Sequence, residues 1–331
     1  MGDDTPEPPD PEPPGPECLV ATSESPTPTT HAAPTESQRI DAIAAVLRRY
    51  GQRPDLSDDC ARLHRRTDLV SCDTLVEGVH FDRSLDTLHQ IGAQAAVSNL
   101  SDLAGSGGAA GWVTWALSLP TSWSLDELVA LTEGFVETLS RAGATLVGGN
   151  LSSTRGPAVI NVTVGGPLAG PRALTRSGAR PGDRIYVTGP LGEAALGWMR
   201  PSPHTRMLRH RWRPHLREAA ALARWPGTTA AMDVSDGLLK DAERMALASG
   251  LAMHFQSDAI PVSADHRAVM GDDLSAALTG GEDYVLLFTA DPELTPPCRA
   301  WPIGRCSAGT GLTLDGAPAR GAGFDHFEHG P

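Results

Sequence analysis

The chain has 331 residues and a formal net charge of −13, a length sufficient for two domains of ordinary size. An acidic chain is a poor candidate for binding nucleic acid or an anionic membrane, and it lacks the run of about 18 apolar residues expected of a membrane-spanning helix. All but one of the 27 basic residues are Arg, and because Lys240 lies outside any GxxxxGKS/T motif, a P-loop is excluded.

Residues 1–37 form a compositionally distinct segment, with ten Pro, eight acidic residues and no Lys or Arg. Such a segment buries too little apolar surface to offset its conformational entropy, so we expect a disordered acidic tail. The first residues lack the basic and apolar regions of a secretory signal. The five cysteines have no spacing typical of disulfides, so the sequence predicts a cytoplasmic protein.

The next part of the chain, residues 38–166, alternates helical and strand patterns. Helices are predicted over 37–50, 88–100 and 125–141, and strands over 69–72, 112–119, 145–147 and 159–164. The glycine pair Gly148-Gly149 predicts a turn that ends the third of these strands. This half therefore reads as an α/β domain.

A boundary near residues 165–170 separates a second half, residues 167–331. Strands are predicted over 184–188 and 284–289, and helices over 192–199, 216–224 and 238–248. Because strands and helices continue to alternate, we expect an α/β and α+β protein with two domains.

Acidic residues recur where we expect a regular element to meet a loop. They are Asp58, Asp59, Asp73, Asp102, Asp233, Asp236, Glu282 and Asp283. If these element ends converge, their carboxylates form a cage of the oxygen ligands that Mg²⁺ prefers. Each residue also has a structural alternative: Asp236 precedes a helix as an N-cap would, and Asp58 suits an Asx-turn.

A series of short segments carries a family resemblance. In chain order they are SDDCA (57–61), SCDTLVEGVHF (71–81), NLSDLAGSG (99–107), LVGGN (146–150), RALTRSGARPGDRIYVTG (172–189), DVSDGLLKD (233–241), GGEDYVLLFT (280–289) and GFDHF (323–327). Together they resemble the thiamine-monophosphate kinases, which belong to the superfamily of aminoimidazole ribonucleotide synthetase. The resemblance spans about residues 38–327, and TLVEGVHF and LTRSGARPGD are its most specific parts.

The resemblance implies an aminoimidazole ribonucleotide synthetase-like fold with two domains. The N-terminal α/β domain would bind ATP and Mg²⁺ and contribute strands to a barrel at a homodimer interface, beside a C-terminal α+β domain. The implied reaction is direct, in-line transfer of the γ-phosphoryl group of ATP to thiamine monophosphate. It would use several Mg²⁺ ions and no covalent enzyme intermediate. No catalytic acid or base is assigned, because the attacking phosphate oxygen is already ionised at neutral pH.

The resemblance also implies roles for particular residues. The implied metal ligands are Asp58, Asp59, Ser71, Cys72, Asp73, Asp102, Asn150, Asp233 and Asp236. The implied ATP contacts are Gly149, Asn150, Arg176 and Ser235, and those to the thiamine half are His80, Glu282 and Phe324. By residue type alone, His80 is equally typical of a packed or capping histidine, and Phe324 of a core aromatic residue.

Three positions depart from the family pattern. Ser57 replaces a glycine, Cys72 stands where a threonine is common, and Asn150 replaces a metal-binding aspartate. A thiol is a poor ligand for Mg²⁺, although a backbone carbonyl at Cys72 remains available. Asn150 keeps one oxygen ligand but loses the charge, so we expect activity with a raised Mg²⁺ requirement.

An Arg- and His-rich segment, residues 199–217, has two interpretations. It is either an anion-binding lid near the ATP phosphates or, as we favour, a solvated helix face. The main alternatives to the leading function are another ATP-using enzyme of the same superfamily and a catalytically weakened nucleotide-binding homologue. The sequence lacks the N-terminal Cys motif expected of the selenophosphate type and the C-terminal Cys tail expected of the hydrogenase-maturation type. Neither type is therefore favoured.

Overall fold

The computed structural model describes Met1 and residues 36–52, 69–320 and 323–324. The predicted tail lies outside the described residues except at its two ends, and Ser57, Asp58 and Asp59 lie outside them as well. All contacts reported below are made within one unit of the chain, Pro34–Pro331.

The first domain is a four-stranded sheet with helices packed on one face. Its elements are α1 (Glu36–Arg49), β1 (Leu69–Val76), α2 (Leu88–Gly105), β2 (Trp112–Pro120), α3 (Leu125–Ala142), β3 (Thr145–Thr154) and β4 (Val159–Gly166). The strand order is β1-β4-β2-β3, in which β2 and β3 are parallel and the other neighbours are antiparallel. Every element predicted for this half is present.

Strand β2 shows how the sequence pattern positions the first sheet. Its residues alternate between buried and half-buried, because successive side chains of a strand point to opposite faces. Trp115 on the buried face stacks on Phe135 of α3, with ring centroids 4.5 Å apart. Capping boxes at Thr87 and Ser124 begin α2 and α3 and satisfy the first backbone N–H groups of these helices.

Helix α2 is buried over most of its length, with 13 of its 18 residues buried. It packs on the first sheet and on α3, and its last turn also contacts the second domain, where Ala104 joins a core cluster containing Leu222 and Phe288. Its many buried apolar residues are expected of a helix in such a position, and its buried polar side chains, such as Gln94 and Asn99, form hydrogen bonds. Helix α2 thus holds the two domains together.

The second domain contains a seven-stranded mixed sheet. Its elements are β5 (Arg184–Val187), α4 (Glu193–Met199), α5 (Pro203–Arg209), α6 (Leu216–Arg224), β6 (Thr228–Asp233), α7 (Leu238–Ser249), β7 (Ala252–Phe255), α8 (Ala264–Met270), α9 (Ser275–Thr279), β8 (Leu286–Ala290), β9 (Trp301–Ser307), β10 (Gly311–Leu314) and β11 (Ala317–Ala319). The strand order is β11-β10-β7-β9-β5-β8-β6. The expected two-domain α/β and α+β fold is confirmed, whereas the barrel between two chains stays a prediction. Among the described residues, no helix is both long and apolar enough to cross a membrane.

The strand predicted over 284–289 begins only at Leu286, because Tyr284 has a φ of +52° that a strand does not allow. Three predicted element ends near the candidate site were also wrong. Strand β1 continues past Asp73 to Val76, and α2 continues past Asp102 to Gly105, so both acids lie inside regular elements. Strand β3 continues through Gly148-Gly149, where a turn was predicted. A side chain at Gly149 would overlap the backbone and ring of Trp115 on β2, so this glycine serves close strand packing and not a turn.

Close packing of α2 against α3 generates a stability prediction. A methyl group at Gly134 would overlap the carbonyl oxygen of His89. In an open helix, Gly→Ala stabilises by about 1 kcal/mol, but here we expect Gly134→Ala to destabilise by about 3 kcal/mol because overpacking forces the helices apart. Denaturant unfolding measures this change.

The matched control is Gly156→Ala, since Gly156 is exposed and its nearest such contact is 3.7 Å away. The control should stay within about 0.5 kcal/mol of the wild type. An equal or higher stability of Gly134→Ala would contradict the packing described for α2 and α3.

Candidate active site

Ser101 and Asp102, adjacent residues near the end of α2, connect this helix to β1 and β6. The Ser71 hydroxyl on β1 donates a hydrogen bond to the Asp102 carboxylate, at 2.7 Å. The Ser101 hydroxyl donates to the Asp233 carboxylate at the end of β6, also at 2.7 Å. Ser71 and Asp73 lie on the same face of β1, since side chains two apart in a strand share a face. The structure therefore brings Ser71, Asp73, Asp102 and Asp233 to one place between the domains.

These carboxylates are placed where their charges are unfavourable without a cation. Burial raises the pKa of Asp102 to about 6, and the charge of Asp73 adds to the rise while that of Arg176 opposes it. Burial also raises the pKa of Asp233 to about 7, with a further contribution from Asp102. A divalent cation offsets such repulsion. The donors are oxygen atoms, as Mg²⁺ requires, so the group fits the implied metal.

The metal group is incomplete within the described residues. No three His, Cys, Asp or Glu side chains in the described ranges lie close enough together to hold one ion. The predicted ligands Asp58 and Asp59 lie outside these ranges. The Cys72 side chain points to the opposite face of β1 from Asp73, where its sulfur contacts Asn161 and Thr163 of β4, so the thiol does not join the acids.

The loop between β6 and α7 carries Ser235 and Asp236, and a residue that sequence reasoning missed holds it in place. The carboxylate of Asp241, in the first turn of α7, accepts the backbone N–H groups of Ser235 and Asp236, both at 3.0 Å. Arg244 forms ion pairs with Asp236 at 2.6 Å and Asp241 at 2.7 Å. Asp236 is therefore not the N-cap of α7, a position taken by Gly237.

The three residues predicted to contact the thiamine half lie around this loop. His80 accepts the Val76 N–H through Nδ1 at 3.0 Å, and its ring lies 6.1 Å from that of Phe324. The Phe324 N–H donates to the Asp236 carbonyl at 3.0 Å. Gln94 donates both to the His80 carbonyl and to the Glu282 carboxylate. The bond from the Val76 N–H is the one expected of a capping histidine, which was the structural alternative for His80. Phe324 is half-buried and is therefore not a core residue.

Glu282 lies on a strained segment beside a cavity. Its φ is +57°, an uncommon conformation for a residue other than glycine, which indicates a position that the surroundings hold firmly. A cavity of about 350 Å³ opens beside it, and Asp283, Trp212 and His215 share the wall.

Other predicted site residues are exposed. Arg176 is exposed but close enough for its charge to act on Asp102. Gly149 and Asn150 are exposed on β3, which is three strand positions from β1, or about 14 Å at about 4.8 Å per strand. Asn150 and Asp73 are therefore not brought together within one chain.

The Arg- and His-rich segment is divided by the structure. Arg211 and Arg213 are exposed, as expected of a solvated face. Arg209 is buried and forms ion pairs with Asp86 and Glu282, so the predicted solvated face is wrong at this residue. Its partners are distant in the sequence, and no local pattern identifies them.

Comparison with known proteins gives consistent matches. Residues 57–168 match the family "AIR synthase related protein, N-terminal domain", and residues 180–315 match its C-terminal counterpart. The chain is 36% identical to a thiamine-monophosphate kinase of Salmonella typhimurium, over 82% of this chain and 91% of that protein. It is 32% identical to one of Bacillus subtilis, over 72% and 78%.

Solved structures are also similar. A thiamine-monophosphate kinase from Stenotrophomonas maltophilia has 34% identity and a TM-score of 0.73, covering 85% of this chain and 96% of that one. A structure described as "AaThiL complexed with AMPPCP and TMP" has 30% identity and a TM-score of 0.72, covering 88% and 97%. The hydrogenase maturation protein HypE, at 18% identity and a TM-score of 0.66, shares the fold alone.

The buried carboxylates generate a prediction about metal-dependent stability. Asp233→Asn removes one buried charge and keeps an oxygen that accepts the Ser101 hydrogen bond. In the presence of EDTA at pH 7.5 we expect the variant to be more stable than the wild type by at least about 1.4 kcal/mol, the equivalent of one pKa unit. Added Mg²⁺ should raise the Tm of the wild type more than that of the variant.

The control is Asp258→Asn, which changes an exposed carboxylate and should leave both the Tm and its Mg²⁺ response unchanged. A variant Asp233→Asn that is less stable than the wild type in EDTA would refute the repulsion between these carboxylates.

Proposed function

The chain belongs to the thiamine-monophosphate kinase family, and we propose that it converts thiamine monophosphate to thiamine diphosphate by direct, in-line, Mg²⁺-assisted phosphoryl transfer from ATP. Similarity over four-fifths of the chain supports this function, as does the similar structure that holds an ATP analogue and thiamine monophosphate. The observation that carries the proposal is the carboxylate group of the half-buried Asp73 and Asp102 and the buried Asp233, beside the cluster of His80, Glu282 and Phe324.

Several Mg²⁺ ions would be held by carboxylates from both domains. The proposed ligands are Asp58, Asp59, Ser71, Asp73, Asp102, Asp233 and Asp236, with Asn150 and the Cys72 carbonyl as weaker candidates. When bound, the ions neutralise the charge that two phosphate-bearing substrates bring together. The raised pKa values of Asp102 and Asp233 support a cation at this place.

The chain's own groups would act by positioning. The attacking phosphate oxygen is ionised at neutral pH, so no general base is needed, and the protein has to align the two phosphates. Arg176 would form a charge-assisted bond to an ATP phosphate. Ser235, held by Asp241, would contact the nucleotide, as would Gly149 and Asn150.

The cluster of His80, Glu282 and Phe324 would bind the thiamine half. Glu282 is suited to accept a hydrogen bond from the aminopyrimidine or to offset the positive charge of the thiazolium ring. Phe324 would stack on a flat heterocycle. Their gathering around the β6–α7 loop supports this assignment, because that loop also carries the proposed metal ligand Asp236.

A homodimer would account for the position of Asn150. The outer face of the first sheet is open, with Val70 62% exposed and Cys72 exposed. Asn150 lies on the far edge strand from Asp73 in the same chain. We propose that this sheet pairs with a second copy, so that Asn150 completes a site together with residues of the partner subunit. A cytoplasmic location remains a prediction from the sequence.

A catalytically weakened nucleotide-binding homologue is the second candidate, favoured by the Asn at position 150 and the Cys at position 72.

Purified protein incubated with ATP, Mg²⁺ and thiamine monophosphate should form thiamine diphosphate, and thiamine in place of thiamine monophosphate should not be phosphorylated. Asp102→Asn should lower kcat by about 100-fold or more, because it removes charge at the transferring phosphate. No product over a wide Mg²⁺ range, with ATP still bound, would support the second candidate.

The Asn150 replacement generates a separate prediction. Asn150→Asp restores a charged ligand, so we expect half-maximal activity at a Mg²⁺ concentration about tenfold lower than in the wild type, a change of about 1.4 kcal/mol. Gln256→Glu is the control, since it adds one carboxylate at an exposed position of the second domain that is not a proposed ligand. Superimposable Mg²⁺ curves for wild type and Asn150→Asp would contradict a role for this position in metal binding.

A further inference from the structure

Arg209, the last residue of α5, is one of the most deeply buried charged side chains among the described residues, with 2% exposure. Each of its three guanidinium nitrogens has a different partner. Nη1 donates to the Asp86 carboxylate at 2.5 Å, Nε to the Glu282 carboxylate at 3.3 Å, and Nη2 to the His80 carbonyl at 3.1 Å. The Arg209 guanidinium therefore joins α5 of the second domain to the connection between β1 and α2 in the first domain.

Asp86 has two basic neighbours, Arg209 and His210, whose Nε2 lies 3.0 Å from the carboxylate. Burial acts to raise the pKa of Asp86, but the hydrogen bond from His210 and the charge of Arg209 outweigh it and lower that pKa. Asp86 is therefore ionised at neutral pH. One guanidinium thus faces two carboxylates, those of Asp86 and Glu282. Asp86 is buried and paired with both Arg209 and His210, whereas the Glu282 side chain is 21% exposed, so Glu282 is the carboxylate that can meet a cationic ligand.

Glu282 is held at both oxygens. Gln94 donates to one oxygen at 2.6 Å, while Arg209 and the indole N–H of Trp198 approach the other at 3.3 and 3.4 Å. The Trp198 ring also stacks over the Arg209 guanidinium, 4.0 Å from its carbon, and remains 39% exposed. The carboxylate that would meet the substrate thus has its orientation set by Arg209 and its neighbours.

Helix α4 is shaped to accept the Arg209 side chain. A methyl group at Gly197 would lie 2.9 Å from Cβ and 3.0 Å from Cδ of Arg209, so the aliphatic part of the arginine packs directly on the helix backbone. An alanine at this position has to displace the guanidinium from its three partners without removing its charge.

We infer that Arg209 is a positioning residue for the thiamine half of the substrate, which orients the His80 turn and the Glu282 carboxylate that meets the cationic ring. This inference rests on the proposed function for the roles of Glu282 and His80. Arg209 itself needs no contact with the substrate. The ligand class that it selects is a positively charged heterocycle carrying a hydrogen-bond donor.

The test compares Arg209→Met, Arg209→Lys and Gly197→Ala with the wild type in steady-state kinetics. We expect each variant to raise the KM for thiamine monophosphate by about tenfold or more, and the KM for ATP by less than about twofold. Lysine should not rescue, because a single ammonium group does not reproduce the fork of the guanidinium. Arg224→Met, which changes an exposed arginine at the end of α6, should leave both KM values unchanged.

A double-mutant cycle separates positioning from a general loss of structure. If Arg209 acts partly through Glu282, then Arg209→Met combined with Glu282→Gln should raise the KM for thiamine monophosphate by clearly less than the product of the two single increases. Additive effects, or equal increases in the KM values for both substrates, would overturn the inference. Because Arg209→Met removes an ion pair from the buried Asp86 carboxylate, Gly197→Ala provides the test if that variant does not fold.

Failure of the proposed function is distinguishable from failure of this inference. If the wild type forms no thiamine diphosphate, the proposed function fails. The inference is then decided by calorimetric titration with thiamine monophosphate alone. Binding by the wild type that is about tenfold weaker in Gly197→Ala supports it. Equal binding by both proteins, or no binding by the wild type, overturns it.

Discussion

The burial of carboxylates at the junction of the two domains is the constraint on which the rest of the site depends. Asp102 and Asp233 come from different domains, and each is held by a serine hydroxyl supplied by a neighbouring element. Because burial and the neighbouring charges disfavour their ionised forms, the fold retains an arrangement that is unfavourable until a cation arrives. Such local cost is typical of functional sites, where stability and activity oppose each other.

The elements of the first domain were predicted well because their periodicity is strong. The errors arose where tertiary packing overrides a local signal. Ser101-Asp102 resembles the end of a helix, but α2 continues because its buried side chains need the contacts of a further turn. Gly148-Gly149 resembles a turn, but the strand continues and Gly149 serves close packing against Trp115. In the second domain the helix α5 and several short strands carried no pattern long enough to predict.

The candidate site was predicted from the resemblance more than from the residues. The structure brings Asp73, Asp102 and Asp233 together and gathers His80, Glu282 and Phe324 around one loop. Asp241 and Arg209 escaped sequence reasoning for different reasons. Asp241 resembles an ordinary acidic residue of a helix N-terminus, and Arg209 sits among exposed arginines while its partners Asp86 and Glu282 lie 123 and 73 residues away. Long-range ion pairs leave no local trace in one sequence.

The position of α2 also limits how the molecule can move. At Gly105, a Cβ would lie 2.8 Å from the backbone nitrogen of Asp233, so the helix backbone and the end of β6 touch without side chains between them. Ser101 and Ala104 add a hydrogen bond and a shared core at the same turn. Rotation of one domain against the other would break all of these contacts at once. The junction is therefore rigid and does not act as a hinge. Any motion that admits substrates or releases products has to occur in the loops around it.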